Sequence, residues 1–221
     1  MNKFEFTPID FSKLHTGSVL LCFSSKNLLA DVEIAVERPE ARRRGIPDDY
    51  PLATHVAMIL EVKTPYTISK QVGFLFWKKT KNITLNPGIL VFEETSDGFT
   101  INPISKYYNT NCVQVLRRVK PFTPEQIITL QDSILKYWAE SITYGWLAFV
   151  TQPIHTILGK DVISKVNENM MICSEVGAVC VNDTCHSVNE PYDFEDEANV
   201  NPLEWQVSEK FEQDVEIQPK V

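Results

Sequence analysis

The sequence has no apolar run long enough to span a bilayer, and its start, MNKFEFTPIDF, lacks the basic-then-apolar pattern of a secretory signal. Both absences predict a chain without a transmembrane segment that works in the cytoplasm, or is delivered without its own signal, for example in a phage particle. Cysteine is sparse. The five residues Cys22, Cys112, Cys173, Cys180 and Cys185 are an odd number without the dense spacing of a disulfide scaffold. Reduced thiols are expected, and the sequons at Asn82 and Asn182 then mean little. Internal repeats and low-complexity tracts are missing too. So is a broad basic surface: residues 190–221 hold ten Asp or Glu against two Lys, while residues 1–189 hold nineteen of each sign. This distribution argues against nucleic acid as a partner. It predicts a domain over residues 1–205 followed by an acidic C-terminal tail, 206–221. The one basic cluster, Arg42, Arg43 and Arg44 in RPEARRRGIPDDYP, reads as a solvated loop, with contact to an anionic substrate or partner as the alternative.

What is present is enough for one core, since 221 residues with 43% hydrophobic and 23% charged content fill a single domain. GSVLLCFS (17–24) reads as a strand and KNLLADVEIAVER (26–38) as a helix. THVAMILEV (54–62), one or two strands within ISKQVGFLFWKKTKNITL (68–85), GILVFEET (88–95) and CVQVLRRV (112–119) follow. Their short connections predict a small antiparallel sheet. FTPEQIITLQDSILKYWAESI then opens with Thr123 as N-cap, Pro124 at the first helical position and Gln126 closing a T-x-x-Q capping box. Ile127, Leu130, Ile134, Trp138 and Ile142 form its apolar stripe.

In MMICSEVGAVCV a thiol, Cys173, stands at the first turn of a helix whose inner face is Val176, Gly177 and Cys180. Gly177 allows another element to come close. An ordinary thiol, with a pKa of about 8.5, is only a few per cent thiolate at neutral pH, whereas a helix N-terminus and a nearby imidazolium favour the anion. Of four histidines, His155 and His186 fall in loops and His15 precedes the first strand, but His55 is held on a strand. Taken by themselves, Cys173 and His55 read more readily as a buried thiol and a core imidazole. Cys180, Cys185 and His186 form C-x4-C-H, but no second paired ligand set lies at a sensible spacing, so neither a metal nor another cofactor is expected.

The order of these pieces decides between the readings. GSVLLCFSSKNLLADVEIAV, THVAMILE, GILVFEETSDGFTINPISKY, VQVLRRV, the long helix, ITYGWLAF and MICSEVGAV, in that order, resemble the circularly permuted branch of the NlpC-type papain-like superfamily. The likeness is to the YiiX-like amidases in particular, and more distantly to lecithin:retinol acyltransferase, over residues 16 to 205. It implies an α+β, circularly permuted papain-like fold: a small antiparallel sheet or open barrel packed against helices. It further implies Cys173 as nucleophile, His55 as general base, and Glu93 as the group orienting the imidazole, with Glu94 the choice if the register slips and Glu61 a weaker one. An oxyanion hole would combine the Cys173 amide with a second donor, for which Tyr144 in TYGW is the candidate oxyanion or substrate-binding residue. Gly17-Ser18 departs from the family's Gly-Asp opening, and the stretch from Thr64 to Pro87 is longer than a minimal member needs, as an extra hairpin would be. The resemblance implies a thiol amidase or peptidase whose substrate is a peptide, a peptidoglycan fragment or an acyl amide. The alternatives are a lipid or N-acyl transferase on the same fold and a non-catalytic papain-like module carrying the acidic tail.

Overall fold

Strand-length apolar runs and two amphipathic stretches organise the chain in the computed structural model, which describes residues 9–23, 28–72, 79–95, 98–108, 113–140, 143–144, 170–171, 173–195, 197 and 200–217. In chain order the elements are β1 (Val19–Cys22), α1 (Leu28–Arg43), β2 (His55–Val62), β3 (Tyr66–Val72), β4 (Lys79–Leu85), β5 (Gly88–Thr95), β6 (Gly98–Pro103) and β7 (Val113–Arg118). Then come α2 (Pro124–Glu140), β8 (Thr143–Tyr144), β9 (Met170–Met171), α3 (Cys173–Ser187), α4 (Pro202–Val207) and β10 (Phe211–Ile217). Six strands form one antiparallel sheet in the order β10-β7-β1-β2-β5-β6, so the α+β class with an antiparallel sheet and packed helices is what the chain adopts. Strands β3 and β4 make a separate two-stranded hairpin within the long 64–87 stretch. It docks through Lys70, whose Nζ donates to the Phe99 carbonyl at 2.8 Å and lies 4.7 Å above the Trp138 ring.

Both faces of the central strands are covered, which is why VLL and VAMIL are continuous apolar runs instead of alternating ones. One face carries Val19, Leu21, Val56, Met58, Phe92 and Leu116 and packs on Leu130, Ile134 and Trp138 of α2, Val176 and Cys180 of α3, and Trp205 of α4. The other carries Leu20, Ala57, Ile59, Val91, Val113 and Val115 and is closed by Ile9, Leu14, Ile104 and Tyr107.

The start of α2 is fixed by its own sequence: Gln126 N donates to Thr123 Oγ1 at 3.3 Å and Thr123 N donates to Gln126 Oε1 at 2.9 Å, a reciprocal capping box. At Gly177 of α3, a Cβ would stand 3.1 Å from Trp205 and 3.6 Å from the Met58 sulfur, so the missing side chain lets α3 lie close to both α4 and the sheet. The segment that follows α3 is tied to β7 by Arg118, only 6% exposed, whose Nε and Nη2 donate to the two carboxylate oxygens of Asp193 at 2.6 and 3.1 Å.

Two elements differ from the sequence reading. The first helix runs past 38, through Pro39, to Arg43, so Arg42 and Arg43 belong to its last turn and not to a loop. Cations suit the negative end of a helix, and each has an acidic neighbour: Arg42 with Asp48 at 2.5 Å, Arg43 with Glu40 at 2.5 Å, and Arg44 with Glu40 at 2.8 Å. Within the stretch 206–221, Phe211–Ile217 forms the edge strand β10, with Glu212 directly opposite Arg117 of β7. Among the described residues no helix is long and apolar enough to cross a membrane.

Candidate active site

Cys173 opens α3 and is 8% exposed, which puts its sulfur at the positive end of a 15-residue helix. His55 opens β2 at the end of the sheet, and its Cα partner across β1 is Cys22. The imidazole has a neighbour on each side. Its Nε2 is 3.2 Å from Glu93 Oε2, and the Cys173 thiol is its charge and hydrogen-bond neighbour. With Nε2 engaged by the carboxylate, Nδ1 is the ring nitrogen left for sulfur. Burial alone would lower the His55 pKa, but Cys173, Glu93 and Cys22 together raise it well above the usual imidazole range.

Glu93 sits on β5 opposite Ala57, two residues along β2 from His55 and on the same face of the sheet. Its carboxylate is 2% exposed and fully used. Oε2 accepts from His55 and, at 2.7 Å, from the Tyr107 hydroxyl; Oε1 accepts from Asn102 Nδ2 at 3.2 Å and from Lys106 Nζ. Burial pushes the carboxyl up, yet the hydrogen bonds from His55, Lys106 and Tyr107 outweigh it and hold Glu93 down to about 2. The Tyr107 phenol is pushed the other way, above its ordinary range, by burial and by the negative charge around Cys22 and Glu93.

Of the residues singled out in the sequence, Cys173, His55 and Glu93 come together. Glu94 points to the opposite face and does not meet the imidazole edge that Glu93 holds. Glu61 is six residues along β2 from His55, about 20 Å at the usual strand rise. The Tyr144 backbone belongs to the short parallel pair β8–β9, while its side chain lies outside the described residues, as do Cys112, His155 and Ile142. Cys180 and Cys185 are buried in the core; burial pushes the Cys180 thiol up to about 12, and Arg118 Nη2 donates to Cys185 at 3.4 Å. Sequence reasoning missed four neighbours of the site: Cys22, Asn102, Lys106 and Tyr107. The last three lie in NPISKY, a strand end running into a 3-10 turn, which the pairing of β6 with β5 brings to Glu93.

No family model matches the chain, and no curated protein matches its sequence. Among solved structures, the metalloprotein yiiX from Escherichia coli O157:H7, DUF1105, is similar to it, with a TM-score of 0.49 and 11% identity over 90% of this chain and 94% of that one. At that level of likeness neither chemistry nor residue roles transfer. Among the described residues no group of three or more His, Cys, Asp or Glu is arranged to hold a metal ion.

Proposed function

We propose that the chain is a cysteine-dependent hydrolase of amide or peptide bonds, built on the circularly permuted papain-like plan of the NlpC-type, YiiX-like enzymes. The observation that carries this reading is the doubly contacted imidazole: a histidine held by a buried carboxylate on one ring nitrogen and beside the sulfur of a helix-opening cysteine. Glu93 fixes the ring and favours imidazolium, and imidazolium beside sulfur is the charge pairing that a thiolate nucleophile needs.

The reaction follows from these positions. Cys173 Sγ, having passed its proton to His55, attacks the carbonyl carbon; the C=O electron pair moves onto oxygen to give a tetrahedral intermediate. Its collapse breaks the C–N bond, and His55 returns the proton to the departing amine. Water, deprotonated by His55, then attacks the thioester, releasing the acid and restoring the thiol. The Cys173 backbone amide, at the N-terminus of α3, is one donor to the developing oxyanion.

The test is mass spectrometry of the wild type and Cys173→Ala after incubation with peptidoglycan fragments, acyl amides and phospholipids. An acyl mass on Cys173 from an amide or peptide, lost in Cys173→Ala, is the expected result. An adduct from phospholipid alone would make the chain an acyltransferase. Absence of any adduct, with Cys173 inert to iodoacetamide at about pH 6, where an ordinary thiol scarcely reacts, would leave a non-catalytic module.

A further inference from the structure

Glu94 is a second carboxyl at the nucleophile. Along β5, side chains alternate between faces, so Glu94 follows Phe92 onto the helix side of the sheet, the side of the core cluster that also holds Cys173. It is 1% exposed, and neither Oε1 nor Oε2 has a hydrogen-bond partner among the described residues. Its electrostatic neighbours are Cys173 and Glu175 of α3 and His55 of β2. A buried polar group left unpaired is costly, and a partner that arrives with the substrate would satisfy this one.

We propose that Glu94, as the neutral acid, donates its O–H to the carbonyl oxygen of the substrate at Cys173, and so supplies the second oxyanion-hole donor beside the Cys173 amide. The proposal rests on Cys173 being the nucleophile. As Sγ bonds to the carbonyl carbon and the π pair moves to oxygen, the Glu94 proton stays on its carboxyl and the hydrogen bond shortens. When the C–N bond breaks the pair returns and Glu94 is unchanged. Only a protonated carboxyl can serve in this way, and burial, reinforced by Cys173 and Glu175, pushes Glu94 up to about 10, so it keeps its proton at neutral pH. The three side-chain torsions of a glutamate let the O–H swing toward Sγ without moving the strand.

The experiment compares wild type, Glu94→Leu and Glu94→Gln in two reactions at Cys173. Acylation by p-nitrophenyl acetate passes through an oxyanion; alkylation by iodoacetamide does not. Glu94→Leu is expected to slow acylation by roughly 100-fold, the usual loss for one oxyanion donor. Glu94→Gln, whose amide also donates, should recover to within about tenfold of wild type. Alkylation should be alike in all three, which also shows that each variant is folded around its thiol. Equal acylation of wild type and Glu94→Leu overturns the assignment, as does a Glu94→Gln no faster than Glu94→Leu, or a parallel loss of alkylation. A wild type whose Cys173 takes neither reagent overturns the thiol-hydrolase reading itself, a distinct outcome that removes this assignment with it.

Discussion

On the sheet face turned away from the helices, the Glu93 carboxylate receives four donors, from His55, Asn102, Lys106 and Tyr107, and is held down to about 2. One residue later, on the helix face, Glu94 finds no partner among the described residues, and burial pushes it up to about 10. The two are 3% and 1% exposed, so depth of burial cannot be what separates them. Desolvation acts on both in the same direction, and the inventory of donors decides which carboxyl is an anion and which an acid. A pleated strand can therefore present an anion to an imidazole on one side and a neutral acid to a thiol on the other.

The largest expected effect comes from removing the charge on the donor-rich side. Glu93→Gln keeps the shape but not the anion that favours imidazolium, so acyl transfer at Cys173 is expected to fall by roughly 10,000-fold, as in other triads that lose their carboxylate, and iodoacetamide alkylation to fall with it. Stability should change with a definite sign. Glu93 titrates at about 2 folded against an ordinary 4.5, so its contribution of about 3 kcal/mol is present above pH 4.5 and is lost as pH falls from 4.5 toward 2. Urea unfolding of Glu93→Gln should lack that acid-side loss. A variant with wild-type reactivity toward iodoacetamide would break the link between Glu93 and the imidazole.

On the other face the sign is reversed. Glu94 titrates at about 10 folded against 4.5 unfolded, so the folded chain holds an extra proton between those values. The stability associated with it is full below 4.5 and declines by about 1.4 kcal/mol per unit as pH rises through the window. Glu94→Leu removes this decline and should be the more stable protein at neutral pH by about 3 kcal/mol, with the difference closing toward pH 4.5. His55, whose pKa is raised, adds its own loss of stability above 6.5 in both proteins, so the difference between them isolates Glu94. Parallel unfolding curves at acid and neutral pH would show that Glu94 is ionised, and would end its role as a donor.

Much of this arrangement is legible in the residues. THVAMILE marks a covered central strand with His55 at its start, T-x-x-Q marks the head of α2, and ICSEVGAV marks a helix that opens on the thiol. The choice between Glu93 and Glu94 is not legible. A one-residue slip exchanges the faces, and it takes the register, with Glu93 opposite Ala57, to bring Glu93 rather than Glu94 to the imidazole. The donors in NPISKY have no pattern of their own, because their function comes from a strand they do not belong to. Pro39 and three arginines suggested a loop, while the ion pairs to Glu40 and Asp48 support a helix end. FEQDVEI is obscured by its charge: in the sequence Phe211, Val215 and Ile217 alternate with Glu212, Asp214 and Glu216, and Glu212 stands opposite Arg117 of β7.

The smallest change sharpens the comparison most finely. Tyr107→Phe deletes one oxygen, the donor 2.7 Å from Glu93 Oε2, from a side chain that is 5% exposed, and leaves the ring in place. Glu93 keeps His55, Asn102 and Lys106, so it stays ionised at neutral pH. One charge-assisted hydrogen bond is worth about 1.5–3 kcal/mol, and a shared acceptor recovers part of it, so a loss of about 1.5 kcal/mol is expected above pH 4.5. Because the folded carboxyl then titrates closer to 4.5, the variant's acid-side loss should still begin near 4.5 but end at higher pH, and be smaller than that of the wild type. Reactivity of Cys173 should drop only a few-fold, about the effect of a looser imidazole. An unchanged acid limb would mean that the other three donors alone set the Glu93 charge. A drop as deep as that of Glu93→Gln would mean instead that the phenol, which also neighbours Cys22, holds the imidazole in place more directly than through the carboxylate.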